Sequence, residues 1–242
     1  MHIIKLSAID STNDYLKDLC AGSNPENFTV VSAETQTKGR GQMGTTWLTE
    51  PGKNLIMSLL IKEVLSEINQ IFLLNAVVAT AITQALKTYD IPELSIKWPN
   101  DILSANKKIG GILIENSIRN DGKIVSIVGI GLNVNQTEFQ NLPKASSLFL
   151  ATGKILDKNE ILEAIVNAIM DKVSILQFHP ESIWEDYNSQ LFRKNTPSAF
   201  EDADGNRFMG MVHGVTADGR LQLLLEDDSE KHFGIKEISM LY

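Results

Sequence analysis

Residues 39–47, GRGQMGTTW, set one guanidinium, Arg40, among glycines at 39, 41 and 44 and close on an aromatic, Trp47. A loop of that composition can wrap a small anion, because backbone N–H groups and a planar cation give charge-assisted hydrogen bonds to phosphate or carboxylate. The glycines also meet the G-x-G-x-x-G spacing of a dinucleotide turn, but that turn needs a helix directly after them to receive the pyrophosphate. Here TTWLTEPGKN follows, and Pro51 with Gly52 opposes a helix. PGKN is no phosphate loop either, since Asn54 stands where Ser or Thr is needed. An exposed connection that binds nothing remains the alternative.

Three further stretches carry polar groups beside glycines. In LSIKW the period of two puts Leu94, Ile96 and Trp98 on one face and Ser95 with Lys97 on the other. In IVSIVGIGLNVN the even positions from Ile124 to Val134 are mainly apolar, while Gly129, Gly131, Asn133 and Asn135 line the opposite face. Such a face admits a ligand closely and offers it amides; strand-end bulges and turn asparagines explain the same pattern without one. Lys107 and Lys108 precede Gly110 and Gly111, which reads as a binding lysine or as a solvated turn. Trp47 reads equally as a ligand cover or a loop anchor, and Trp98 as core.

The elements that must position these groups follow from periodicity. HIIKLSAI at 2–9 predicts a strand, and DSTNDYLKDLC a helix capped by Ser11 or Thr12, with Cys20 on its apolar side. The cap alone could account for both hydroxyls. Residues 28–34 and 54–61 predict strands, then one long helix runs from about Ser66 to Tyr89. LSIKW, GGILIEN and IVSIVGIGLNVN predict three consecutive strands, the first ended by Pro99 and the first two joined by NKKIG as a turn, which implies an antiparallel or mixed sheet. A helix at about 159–178 has Asp157 as cap and repeats Ile161, Ile165, Ile169 and Val173. Beyond Pro180, DADGN, TADGR and EDDSE separate short apolar runs, the hairpin pattern of a small all-β barrel, with a boundary near Ser182.

Composition excludes other classes. Twenty-two Lys and Arg against 30 Asp and Glu leave a charge of -8 over 242 residues, against a general nucleic-acid surface. A single cysteine forbids an internal disulfide, and four scattered histidines suggest no zinc cluster. The first 25 residues lack a signal-peptide layout, and no apolar run approaches the roughly 20 residues of a membrane span, so a cytoplasmic protein is expected. No G-x-S-x-G elbow or Cys–His pair points to a covalent acyl-enzyme.

With STN at 11–13, QTKGRGQMGTTW at 36–47, KWPND at 97–101, KKIGGILIE at 107–115 and GIGLNVN at 129–135, the sequence resembles the biotin protein ligases. The resemblance implies an α+β fold: a class II synthetase-like catalytic domain over 1–182, its mixed or antiparallel sheet packed by helices, and an SH3-like barrel over 185–242. It implies an ATP-dependent enzyme that makes biotinyl-5′-AMP and transfers biotin to one lysine of a biotin carboxyl carrier domain, such as that of acetyl-CoA carboxylase. Ser11, Thr12, Asn13 and Gln36 would bind the ureido end of biotin. Arg40, Gly41 and Gln42 would wrap its carboxylate and the adenylate phosphate, and Lys108 would reach the same carboxylate. Arg40 and Lys108 are thus the catalytic candidates.

Trp47, Lys97, Asn100, Asp101 and Asn133 would surround ATP, with Asp101 a candidate contact to Mg2+. Nucleic acid and membrane are not expected partners, and the enzyme would be a monomer or homodimer. Family members often carry more arginines in the glycine loop, where this chain has Gln42 and Thr45, which implies weaker retention of the adenylate. The chain opens at the catalytic strand without a DNA-binding domain, so repressor activity is not expected. The rivals are a lipoate or octanoyl ligase, whose arginine motif and acyl-accepting cysteine are not visible, and a biotin sensor without turnover.

Overall fold

β-branched and aliphatic runs before Leu132 build one seven-stranded sheet in the computed structural model, which describes residues 1–65, 67, 70–119, 121–176 and 178–242. The strands are β1 (His2–Ile9), β2 (Thr29–Gln36), β3 (Leu55–Lys62), β4 (Leu94–Lys97), β5 (Asp101–Ser104), β6 (Lys107–Ile118) and β7 (Ile124–Leu132). Their order across the sheet is β1-β2-β3-β7-β6-β5-β4; β1 and β2 pair in parallel and every other neighbour is antiparallel. The parallel pair is possible because the helix α1 (Thr12–Gly22) carries the chain back along the sheet.

Two expectations about this region are corrected. The LSIKW strand does stop before Pro99, but KWPND turns a β-hairpin and DILS is a further strand, so four strands stand where three were expected. NKKIG is not a turn: the reversal falls at Ala105, whose φ is +51°, and Asn106, while Lys107 and Lys108 open β6. The lysines made this stretch look solvated, yet strand residues alternate between faces and one polar face suffices.

Helices lie on both faces of the sheet. On one lie α2 (Ile71–Leu86) and α4 (Lys158–Leu176), with Ile161, Ile165, Ile169 and Val173 turned inward as the periodicity demanded. The predicted helix start at Ser66 lies outside the described residues. Together with the 3-10 turn Lys87–Tyr89, α2 forms a 19-residue segment of mean hydropathy 1.4, long and apolar enough by length and composition to cross a membrane. That corrects the expectation that no apolar run reaches such a length, although 72% of the segment's residues are buried inside this protein. On the other face α1 covers only part of the sheet, packing Leu16 on Val31, Leu60, Val125 and Ile127, with Cys20 at the margin.

Short helices α3 (Leu148–Thr152) and α5 (Pro180–Ser189) complete the layer. α5 was not foreseen, because Pro180 reads as a break; proline is instead well suited to a first helical turn, and Ser182 lies inside this helix. A second, wholly antiparallel sheet follows: β8 (Pro197–Asp202), β9 (Arg207–Val215), β10 (Leu221–Leu225), β11 (Glu230–Phe233) and β12 (Ile238–Leu241), in the order β11-β10-β9-β8-β12. The α+β class and the appended all-β unit are as expected.

The β9–β10 turn fixes the small sheet to the large one. Trp98 Nε1 donates to the Gly219 carbonyl at 2.9 Å. Gly219 has φ +87°, and a Cβ there would lie 2.4 Å from Phe72. Phe72 in turn stacks on Trp184 at 6.1 Å and meets Tyr187 edge-on at 5.8 Å, joining α2 to α5.

Candidate active site

The sheet face that α1 leaves open is the floor of a cleft of about 990 Å³, walled by the start of α1, the glycine segment, the β4–β5 turn, residues 142–145 and the small sheet. Of the glycine-flanked polar positions, Lys107 and Asn135 do not border it, but the residues that the family resemblance assigned all do: Ser11, Thr12, Asn13 and Gln36; Arg40, Gly41, Gln42 and Trp47; Lys97, Asn100, Asp101, Lys108 and Asn133. These come from six separate elements, so the fold alone brings them together.

One end is a closed network of amides and hydroxyls. Ser11 caps α1, its Oγ accepting from the Asp14 amide at 3.3 Å. Thr12 N donates to Gln36 Oε1 at 2.8 Å, and the Thr12 hydroxyl oxygen lies 3.1 Å from the same atom. Ser58 on β3 donates to Asn13 Oδ1 at 2.5 Å and shares a 2.8 Å hydroxyl contact with Thr12. Asn13 Nδ2 donates to Glu115 Oε2 at 2.7 Å. Gly129 makes room for this: a Cβ there would sit 2.6 Å from Asn13 Oδ1.

The glycine segment is a small hairpin rather than a loop of unsatisfied donors. Gly41 N donates to Thr45 O at 2.7 Å and Trp47 N to Gly39 O at 3.0 Å, around a 3-10 turn at Gln42–Gly44. Glycine is required sterically at 39 and 41, where a Cβ would meet Trp47 O at 2.4 Å and Thr45 Oγ1 at 2.5 Å. The hairpin lays the Trp47 indole on Gly131, whose Cβ would sit 2.5 Å from the ring, and against Gly111. The glycines on β6 and β7 therefore accommodate the protein's own side chains, and the indole forms the adjoining wall. Trp47 Nε1 has no hydrogen-bond partner among the described residues although it is buried.

The other end is cationic. A bulge in β6 places Ile109 opposite no partner, since Ile102 pairs with Gly110 and Leu103 with Lys108. A bulge re-aims the side chain beside it. Lys108 thus comes to the cleft face, its Nζ 3.4 Å from where a Gly111 Cβ would be and 2.6 Å from Asp101 Oδ1. Lys97 faces Asp101 across the β4–β5 hairpin. Burial pushes the Lys97 ammonium below its ordinary pKa; Asp101 opposes the shift, and Lys108 and Lys144 add to it. Lys97 and Lys144 both lie over the Tyr242 ring, at 5.6 and 4.0 Å from its centre. Asn100 and Asn133 brace the walls, donating to the Ile112 and Ser146 carbonyls at 2.7 and 2.9 Å.

Both catalytic candidates are held by carboxylates. Arg40 donates to Asp14 Oδ1 at 2.5 Å and lies 3.5 Å from Glu115 Oε2, and Lys17 meets Glu115 Oε1 at 2.6 Å. Partial burial raises the Asp14 and Glu115 carboxyls, but bonds and charges from Arg40 and Lys17, with Asn13 at Glu115, outweigh it and hold both below the usual range. The sequence reading missed Ser58, Asp14, Glu115 and Tyr242. Ser58 carried a signal, as the only polar residue within LIMSLLI; Asp14 and Tyr242 carried none.

Comparison with known proteins agrees with this geometry. The family described as Biotin/lipoate A/B protein ligase matches residues 6–135. The bifunctional ligase/repressor BirA of Bacillus spizizenii is 32% identical, over 98% of this chain and 72% of that protein. The biotin--[acetyl-CoA-carboxylase] ligase of Mycobacterium tuberculosis is 25% identical, over 88% of this chain and 79% of that one. Among solved structures, the biotin protein ligase from Aquifex aeolicus in complex with biotin and ATP superposes with a TM-score of 0.81, at 27% identity, covering 99% of this chain and 98% of that one.

Proposed function

The chain belongs to the biotin/lipoate A/B protein ligase family, and from that premise we propose that it activates biotin with ATP and transfers it to a lysine of a biotin carboxyl carrier domain. The observation that carries this reading is the division of one cleft into a neutral hydrogen-bonding end and a cationic end. Biotin has the same division, with a ureido ring at one end and a carboxylate at the other. Thr12, Asn13, Gln36 and the adjoining Ser11 receive the ring; Arg40, Gly41, Gln42 and Lys108 receive the carboxylate and the α-phosphate. Trp47, Lys97, Asn100, Asp101 and Asn133 bound the ATP site. The large sheet with its helices through α5 then forms the catalytic domain and the sheet from β8 onward the SH3-like one, which adds Tyr242 and Lys236 to the cleft wall.

A carboxylate does not acylate an amine in water, so its oxygen must first attack the α-phosphate, forming a mixed anhydride and releasing pyrophosphate. Two anions approach in that step. Arg40 and Lys108 reduce the repulsion, each charged hydrogen bond contributing about 1.5–3 kcal/mol. Both must first exchange Asp14 and Asp101 for the substrate. Mg2+, which takes few protein ligands and completes its shell with phosphates, fits the single Asp101 carboxylate here; among the described residues no group of three or more His, Cys, Asp or Glu forms a site of its own. Bound with ATP, it supplies neutralisation of the leaving pyrophosphate.

In the second step the carrier lysine attacks as a neutral amine, and deprotonating it near pH 7 costs about 4–5 kcal/mol. Alignment against the held anhydride offsets this, such positioning yielding about 7–11 kcal/mol in intramolecular models. The use of ATP as co-substrate supports a cytoplasmic setting. The test is mass spectrometry of a carboxylase carrier domain incubated with the protein, ATP and either biotin or lipoate. One added biotinyl group with biotin alone is expected; lipoyl transfer, or no transfer and no pyrophosphate release, overturns the proposal.

A further inference from the structure

The Glu115 carboxylate reaches Asn13 and Arg40 together, yet it does not border the cleft. We infer that Glu115 is a positioning residue that sets the direction of the side-chain hydrogen bonds running from Asn13 through Ser58 to the Thr12 hydroxyl; the inference rests on the biotin reading above. An ionised carboxylate only accepts. With Glu115 Oε2 taking the 2.7 Å bond, the Asn13 amide must present its nitrogen to Glu115 and its oxygen to Ser58. The Ser58 proton is thereby committed to Asn13 at 2.5 Å, leaving the Ser58 oxygen as acceptor for Thr12 at 2.8 Å. Gln36 is oriented separately, its Oε1 accepting from the Thr12 backbone amide at 2.8 Å. Its Nε2 is turned toward the glycine hairpin, 2.8 Å from where a Gly39 Cβ would lie.

The Asn13, Ser58 and Thr12 hydroxyl links are each fixed by the one before, and they start from groups that only accept: Glu115 at 2.7 Å and, more weakly, the Leu113 carbonyl at 3.5 Å. A neutral amide in place of Glu115 can donate or accept, so the order is lost and the Asn13 amide is free to invert. β6 places Glu115 suitably because Gly111, Leu113 and Glu115 alternate onto the cleft side, opposite Gly131, Gly129 and Ile127. The glycine at 129 leaves the space that Asn13 fills. The charge on Glu115 is secured independently by Lys17 at 2.6 Å.

The experiment measures biotin dissociation constants by calorimetry and ATP KM by pyrophosphate release. The parent, Glu115→Gln, Lys17→Met and the swap Asn13→Asp with Glu115→Gln are compared, with thermal unfolding checked for each. Glu115→Gln is expected to weaken biotin binding by about tenfold, the scale of one misdirected buried hydrogen bond, with ATP KM changed less than about threefold. The swap keeps an acceptor-only carboxylate in the chain, so Ser58 still donates to position 13, and it is expected to recover most of that loss. Lys17→Met, which leaves the Asn13 bond intact, is expected to change biotin affinity less than about threefold.

Parent-like binding by Glu115→Gln overturns the inference. So does a swap no better than the single variant, or a loss in Lys17→Met as large as that in Glu115→Gln, which would assign the effect to charge alone. If Glu115→Gln does not fold, the swap and Lys17→Met decide by the same criteria against the parent. A parent protein that binds no biotin overturns the reading beneath.

Discussion

The two ends of the cleft are built on different principles. At the neutral end Thr12, Asn13 and Ser58 are buried, and each is satisfied by another residue of the protein. At the cationic end Arg40 and Lys108 are partly exposed, with side-chain exposures of 42% and 35%, and each is tied to a carboxylate that a ligand must displace. Buried polar networks are costly to leave incomplete and so specify one geometry, whereas exposed ion pairs contribute little and exchange easily. On the proposed reading, the neutral end would be ordered before an uncharged ring arrives, and the cationic end would exchange its carboxylate partners for the substrate. Recognition and activation are assigned to different mechanical regimes within one pocket.

The sharpest way to break this contrast is at the charges. Arg40→Ala and Lys108→Ala are each expected to lower adenylate formation by well over tenfold, because each removes a charged hydrogen bond where charge accumulates. Pyrophosphate release at the parent rate in both variants would refute the assignment. Next is Ser58→Ala, which leaves Asn13 Oδ1 without its donor in a buried place; biotin affinity is expected to fall by roughly five- to tenfold, the lower part of the cost of an unpaired buried group. An unchanged dissociation constant in calorimetry would show that this end is less rigid than its network implies.

Gly131→Ala drives a methyl into the Trp47 ring, where the Cβ would lie 2.5 Å away. The indole must leave the floor, and its fluorescence should shift to the red while ATP KM rises about fivefold, as for overpacking worth about 1 kcal/mol. No spectral change would mean that Trp47 does not rest there in solution. The smallest effect concerns pH. Asp14 and Glu115 have depressed pKa values, so their ties to Arg40 contribute in full above the unfolded carboxylate range of about 4 and are lost as pH falls through the lower folded values. Near pH 7 Asp14→Asn should release Arg40 and change biotin KM by less than about threefold, an effect that should vanish on strong acidification. A variant whose difference from the parent grows with acid would reverse the sign.

Most of the strands and the buried face of α4 were legible because period-two alternation and the apolar stripe at Ile161, Ile165, Ile169 and Val173 report local geometry, whereas the order of strands across the sheet was not. Lys108 was found as a type of residue but not as a direction, since the bulge that turns it toward Asp101 depends on pairing with β5. The glycines at 129 and 131 were read as room for a ligand; the structure uses that room for Asn13 and Trp47, which no single segment could reveal. Likewise the glycine segment lacked evident partners for its N–H groups only because a nine-residue window hides a hairpin that closes on itself. Ion pairs such as Arg40 with Asp14 join positions whose proximity exists only after folding.

Phe72 is shared property: the aromatic cluster of α5 leans on it from one side and the glycine turn of the small sheet from the other. Volume added at 219 must be subtracted at 72, and an altered ring at 72 loosens the seat of Trp184. In descendants of this chain the three positions should drift as a trio, each change licensing the next, while the surface around them varies at will.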